Sequence, residues 1–277
     1  MEKYDLLEFS TDFIQNTPTN YVSEEAALSP ALSGLRIFDA PLVGTALACD
    51  ALFSEYKKPS IIGPHFKLPG EWLANAKTVI SYFHPYSLAV QKGNARDFSW
   101  PSKEWLHARY EGQLAIDAHM RAIKKLLEEK GYRAIIPKED PLFKSVGTFK
   151  KDSQLPGLSY TSNWSERHAA YVCGLGTFSL SKGMITEKGI AGRFGSLITD
   201  MEIAPTTRSY TGIYDYCILC GKCVKNCPAG AITLENGKDH VLCDLFLKPT
   251  LEQNAPRYGC GKCQVAVPCA SRNPSRK

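Results

Sequence analysis

A chain of 277 residues with 44% hydrophobic and 22% charged residues has the composition of a folded globular protein, which excludes a disordered or low-complexity polypeptide. The net charge of +5 is mild and spread along the sequence apart from the tail Arg272 to Lys277, so no stripe of lysine and arginine argues for a nucleic-acid partner. The opening MEKYDLLEFSTDF has no basic segment followed by an apolar run, and no apolar run reaches the roughly 18–20 residues that span a bilayer, so the expectation is a cytoplasmic protein with no membrane partner.

The first clear strand signal is Leu42 to Cys49, LVGTALAC, after Pro41. Residues 56–70 hold three prolines and two glycines and read as irregular. Thr78 to Phe83, rich in β-branched and aromatic residues and ended by His84-Pro85, reads as a buried strand. From Glu104 to Lys130 apolar residues recur at three- and four-residue steps, a helix closed by Gly131. Tyr132 to Ile136 reads as a second strand stopped by Pro137, and this strand, helix, strand order predicts an α/β domain. Residues 141–162 read as a long loop, Ser165 to Val172 as a helix ending at Cys173-Gly174-Leu175-Gly176, and Arg193 to Thr199 as a strand. Cys49 and Cys173 are expected to be packed small hydrophobes, and His65 and His84 surface or packed histidines.

The chemistry concentrates at the end of the chain, where eight of the ten cysteines lie between Cys217 and Cys269. Cys217-x2-Cys220-x2-Cys223-x3-Cys227-Pro228 is the spacing of bacterial two-cluster ferredoxins: three thiolates reach three corners of one 4Fe-4S cubane, and the fourth is carried to the other. By that crossover Cys217, Cys220, Cys223 and Cys269 hold one cluster, and Cys227, Cys243, Cys260 and Cys263 hold the other. Asn236-Gly237 predicts a hairpin just before Cys243. The second set departs from a simple repeat, with sixteen residues between Cys243 and Cys260 and five between Cys263 and Cys269. Structural zinc sites use two separated cysteine pairs, which the compact triple C-x2-C-x2-C does not supply. A reducing compartment likewise disfavours a disulfide framework.

A two-cluster module is complete in under about 80 residues, so the first two hundred serve another purpose, most simply a site that uses the electrons. Glu166-Arg167-His168-Ala169-Ala170-Tyr171-Val172-Cys173-Gly174-Leu175-Gly176, followed by Gly189, Gly195, Thr199-Asp200 and the cysteine module, resembles epoxyqueuosine reductase. It is more distantly similar to the cobalamin-dependent reductive dehalogenases. The resemblance covers about residues 75–270, most tightly 164–229. It implies a nitroreductase-like α/β (α+β) cofactor and substrate domain over residues 1–207, binding cobalamin, and a ferredoxin-like domain over 208–277. It also implies an electron donor such as a ferredoxin or flavodoxin and a small-molecule substrate.

Within that likeness Gly174, Leu175, Gly176 and Arg167 are candidate cofactor-binding residues, although the glycines read equally as a helix C-cap. Glu166 and Arg167 also read as an ion pair anchoring the helix N-terminus. Epoxyqueuosine reductase has a proton-donating aspartate six residues before the Glu-Arg pair, where this chain has Tyr160. Reductive dehalogenases use a tyrosine, so Tyr160 is a candidate acid and Asp152 another. The C-terminal helical repeats of the tRNA-modifying enzyme are absent from this sequence, which argues against tRNA as substrate. The alternative function is a non-catalytic electron-transfer protein or reductive activator of a partner corrinoid protein.

Overall fold

A computed structural model of the chain describes residues 3–147, 154–155, 157–158 and 160–276. Helix α1 (Lys3–Asn16) leads to strand β1 (Leu42–Leu47), two short helices α2 (Ala51–Glu55) and α3 (Pro69–Trp72), and strand β2 (Thr78–Pro85). Helices α4 (Leu88–Asn94) and α5 (Lys103–Glu129) follow, then the short strands β3 (Ala134–Ile135), β4 (Ser145–Val146) and β5 (Thr161–Ser162). Helix α6 (Glu166–Val172), the hairpin β6 (Gly176–Phe178) and β7 (Met184–Thr186), and the long strand β8 (Gly192–Thr199) complete the first part. The cysteine-rich part contains α7 (Lys222–Lys225), the hairpin β9 (Ile232–Thr233) and β10 (Gly237–Lys238), and α8 (His240–Asn254).

The helix starts follow from local chemistry. Ser87 caps α4, Ser102 caps α5 and Asp239 caps α8, each accepting a backbone N–H two or three residues on. Along α5 the buried side chains Trp105, Ala108, Ala115, Ile116, Ile123 and Leu127 form the stripe that the sequence periodicity predicts.

The main sheet has the order β1-β2-β8-β3, with every neighbouring pair antiparallel. The strand, helix, strand run from 78 to 136 therefore does not build a parallel crossover, because β8 lies between β2 and β3. Glycine makes that insertion sterically possible. A Cβ on Gly192 would lie 2.4 Å from the His84 carbonyl oxygen, and one on Gly195 would lie 3.0 Å from Ile116 on α5. Strand β2 is buried at all eight positions, as a central strand covered on both faces must be.

One face of the sheet packs on α1 and α5 through Leu6, Ile14, Ile80, Tyr82, Ile116 and Met120. The other face carries an aromatic cluster of Phe53, Phe66, Trp72 and Trp164, with Phe53 and Phe66 stacked on Trp164 at 6.0 and 5.8 Å. A third apolar cluster joins Leu175, Ile185 and Ile190 to Tyr210, Tyr216 and Val267, with Cys217, Cys223 and Cys269 against it, so the cysteine module shares a core with the sheet part.

Polar ties reinforce the junction. Arg257 donates to both carboxylate oxygens of Glu111 on α5, Nε to Oε1 at 2.9 Å, and to the Ala26 carbonyl at 2.9 Å. Buried His107 accepts the Leu28 N–H on Nε2 at 3.0 Å, so its Nδ1 carries the proton toward Glu111 at 3.1 Å.

Candidate iron-sulfur and cofactor site

Residues 217–224 turn tightly through Leu219 and Gly221, whose φ angles of 50° and 68° are left-handed. That geometry lets Cys217, Cys220 and Cys223 face a common centre, and Cys269 joins them from the chain end. Burial, and after it the three loop thiols, push the Cys269 thiol up to about 12. Burial and the neighbouring thiols Cys263, Cys217 and Cys220 raise Cys223 to about 11.

The second group forms in the same way. Burial raises Cys260 to about 12, with Cys263 and Cys243 adding to it, and Cys263 responds in turn to Cys243 and Cys227. Cys263 also lies within electrostatic reach of Cys223, so the two groups adjoin each other. Crowded buried thiols ionise only if a positive centre compensates them, which is the condition a metal cluster meets. Among the described residues, no three cysteine, histidine or carboxylate side chains meet closely enough to hold one metal ion.

Packing supports both groups. Cys217, Cys220, Cys223 and Cys269, together with Cys263, line an almost wholly apolar cavity with Leu180, Ile185, Leu219 and Val267. In Cys260-Gly261-Lys262-Cys263, Gly261 has φ 67° and a Cβ there would fall 1.9 Å from the Trp105 ring. Lys262, 1% exposed, donates its Nζ to the Asn94 backbone and side-chain oxygens at 2.8 Å each, while Asn94 Nδ2 donates to the Cys260 carbonyl at 2.9 Å. The Ala231 N–H donates to Cys227 Sγ at 3.3 Å.

Cys243 sits on α8. The hairpin β9–β10 forms where Asn236-Gly237 predicts it, but the interval between Cys243 and Cys260 is mostly this helix, which the sequence reading did not contain. Its available signal was the Asp239 cap; Pro249 inside the helix and its exposed Val241, Leu242 and Leu245 obscured the pattern.

The resemblance-based candidates are distributed unevenly. Gly174 has φ 78°, and a Cβ on it would press on Thr206 at 2.9 Å, while one on Gly176 would lie 1.9 Å from the Ile185 carbonyl oxygen. Leu175 is buried in the third cluster. The space beside this Gly-Leu-Gly turn is filled by protein. Arg167, by contrast, is exposed to solvent on the first turn of α6.

Glu166 does not pair with Arg167, correcting the ion-pair expectation; its Oε2 accepts from Ser196 Oγ at 2.6 Å, and Ser196 accepts from Trp164 Nε1 at 2.9 Å. Burial raises the Glu166 pKa to about 7 against the opposing pull of Ser196 and Lys138. Tyr160 donates its hydroxyl to Asp244 on α8 at 2.8 Å, and its ring stacks on His240 at 4.8 Å. Asp152 lies outside the described residues.

Among the remaining singled-out groups, Cys173 is fully buried and donates to the Val79 carbonyl at 3.4 Å, as a packed thiol does. Cys49 is exposed, contrary to expectation, because β1 ends at Leu47 and the thiol falls in the turn before α2. His84 is packed, its Nε2 3.0 Å from Nδ1 of buried His119, and His65 meets the Thr161 hydroxyl at 2.7 Å.

A 4Fe-4S binding domain model matches residues 210–233, which contain Cys217, Cys220, Cys223 and Cys227. Tetrachloroethene reductive dehalogenases from Desulfitobacterium hafniense and Dehalobacter restrictus are 39% identical over 67 residues, 24% of this chain and 12% of theirs. An epoxyqueuosine reductase solved with a tRNA-Tyr stem loop superposes with a TM-score of 0.54 at 17% identity, covering 97% of this chain and 65% of its own. A catabolic reductive dehalogenase superposes with a TM-score of 0.53 at 17% identity, covering 84% of this chain and 30% of its own. Among the described residues, no helix is long and apolar enough to cross a membrane. The chain has the mixed helix and sheet fold shared by epoxyqueuosine reductases and reductive dehalogenases, with a 4Fe-4S binding segment on its C-terminal side.

Proposed function

We propose that the chain is a cytoplasmic iron-sulfur reductase that passes low-potential electrons through two 4Fe-4S clusters to a cobalamin in residues 1–207, for reduction of a small organic substrate, with residues 208–277 as the cluster module. The observation that carries this reading is the order of the two thiol groups. Cys220 of the first group is exposed, whereas Cys263 of the second is half-buried and lies within electrostatic reach of Arg167. An electron arriving from a ferredoxin or flavodoxin would enter at the first group and leave from the second.

Cys217, Cys220, Cys223 and Cys269 would hold the outer cluster, and Cys227, Cys243, Cys260 and Cys263 the inner one. Such clusters supply one-electron transfer at potentials that reach several hundred millivolts below zero. A cobalamin supplies a strongly reducing cobalt centre when bound. It would lie beside Arg167, since the glycines of the Gly-Leu-Gly turn are covered by Thr206 and Ile185. This chain's own residues hold the proton inventory: Glu166, poised near neutrality, and Tyr160, hydrogen-bonded to Asp244, are groups able to keep or move one.

The reading is tested by titrating cobalamin into anaerobically reconstituted protein, followed by visible absorption before and after a low-potential reductant. The expected result is saturable corrinoid binding and full reduction of the bound cobalt through the protein. Failure to bind any corrinoid or other organic cofactor would sink it and favour a carrier without a site of its own.

A further inference from the structure

The first thiol group lies beneath an exposed apolar surface. Ile218 and Leu219, between Cys217 and Cys220, are 49% and 60% exposed, and Leu234 at the tip of the β9–β10 hairpin is 55% exposed. A Cβ on Gly221 would lie 3.5 Å from Leu234, so the hairpin tip stands beside the cysteine loop. The turn between β6 and β7 meets the same place: its Leu180 and Ser181 line one cavity with Ile218, Leu219 and Cys220. Single exposed leucines are ordinary, but three aliphatic side chains gathered over one exposed ligand thiol make a surface that gains by being covered.

The charge around this surface has one sign. The segments that line the cavity, residues 179–185, 217–223 and 263–274, contain the exposed cations Lys182, Lys222 and Arg272 and no carboxylate. Lys225, exposed on α7, extends the series, and residues 217–234 also lack any aspartate or glutamate. Among the described residues, none of these four cations forms an ion pair. The flanking acids are otherwise engaged. Asp215 accepts the backbone N–H groups of Thr211 and Gly212 at 3.0 and 2.9 Å, and Glu187 is held by Arg276 and Asn273 at 3.2 Å each. Glu235, beside Leu234, is the one exposed acid at the hairpin tip to set against four cations.

We propose that this surface docks an acidic one-electron donor protein, seated on Ile218, Leu219 and Leu234 and steered by Lys182, Lys222 and Lys225, which brings its redox centre to Cys220. An apolar centre with a charged rim is the anatomy of a protein interface, and a rim of one sign selects a partner of the other. A nucleic acid would use the cations for its phosphates and leave the aliphatic centre without a role. One electron leaves the reduced donor and one enters the first cluster; no bond forms and no proton moves. The assignment rests on the reductase reading, in which electrons enter at the first thiol group, and adds the surface and the charge of the partner.

The test is surface plasmon resonance of the cluster-loaded protein with an acidic plant-type ferredoxin, with basic cytochrome c and, separately, with bulk tRNA. The expected result is saturable binding of the ferredoxin, weakened about tenfold or more between about 20 and about 200 mM salt, and none of the cytochrome. K182E and K222E should each weaken it about threefold or more, and L219A, which removes the centre of the apolar patch, about tenfold. K125E, on α5 away from the cavity lining, should bind as wild type does. Lys182 lies on a hairpin without cysteines, so K182E gives the readout if K222E or L219A loads poorly with iron. Absence of saturable ferredoxin binding, or equal binding by wild type, K182E and L219A, overturns the proposal. Displacement of the ferredoxin by tRNA at this surface overturns it too, by assigning the cations to phosphates. Binding requires neither corrinoid nor turnover. Ferredoxin binding without corrinoid binding would therefore sink the reductase reading and leave the surface standing, and the converse would sink the surface alone.

Discussion

Glu166 combines an enclosed carboxyl with one short acceptor bond from Ser196. Because burial raises its pKa from 4.5 to about 7, the folded protein holds a proton that the unfolded chain releases across that window. Its contribution therefore turns unfavourable as pH rises from about 5 to about 7. E166Q keeps an oxygen to accept from Ser196 and cannot ionise. The urea midpoint of wild type should accordingly fall relative to E166Q over that range, and parallel curves from pH 5 to 8 would contradict the assignment.

The cysteines make a second residue-scale prediction. C269S removes the thiol that closes the first group and should lower iron from about eight to about four per chain with loss of one reduced-cluster signal, while C49S should leave both unchanged. Iron analysis with electron paramagnetic resonance of the reduced protein checks it. The 4Fe-4S binding segment around Cys217, Cys220, Cys223 and Cys227 was legible in the sequence because the ferredoxin loop is a local constraint. The contacts of Arg193 with Gln113 and of Lys138 with Asp117 were not, since these residues meet only through the fold.

At the scale of elements, α5 ties the sheet part to the cysteine module through the His107, Glu111, Arg257 triad. Burial alone would raise the Glu111 pKa, but the bonds from His107 and Arg257 hold it below its ordinary value. That contribution is present above the normal carboxylate range and is lost as pH falls through the lowered folded value. R257A leaves Glu111 enclosed without its main partner and should cost about 3 kcal/mol or more in denaturant unfolding, with E111Q/R257A less than additive. Additive costs would mean that the pair is not coupled. G261A tests the neighbouring contact: a methyl cannot fit against Trp105, so it should reduce retention of the second cluster more than of the first. Helix α5 and strands β1, β2 and β8 were readable from periodicity. The antiparallel order was not, because pairing across more than a hundred residues leaves no local trace, as between β2 and β8.

At the scale of the molecule, the shared apolar cluster holds Cys217, Cys223 and Cys269 against the sheet part, and the Arg257 and Lys262 ties hold the segment around Cys260 and Cys263 to α5 and α4. K262M removes the only positive charge within the Cys260-to-Cys263 loop and leaves the Asn94 oxygens short of a donor, so a loss of about 2 kcal/mol in stability is expected, measurable by thermal unfolding of the loaded protein. Helix α8 brings Asp244 to Tyr160, which no local motif announced because Tyr160 and α8 lie some eighty residues apart.

The central claim is that the chain holds two 4Fe-4S clusters on crossed sets of four cysteines. Electron paramagnetic resonance of the chemically reduced, fully loaded protein tests it most directly. The account predicts about two spins per chain with the broadening of two interacting 4Fe-4S centres, becoming one simple signal in both C269S and C263S. A single non-interacting cluster in the wild-type protein, or a signal untouched by either substitution, would contradict it.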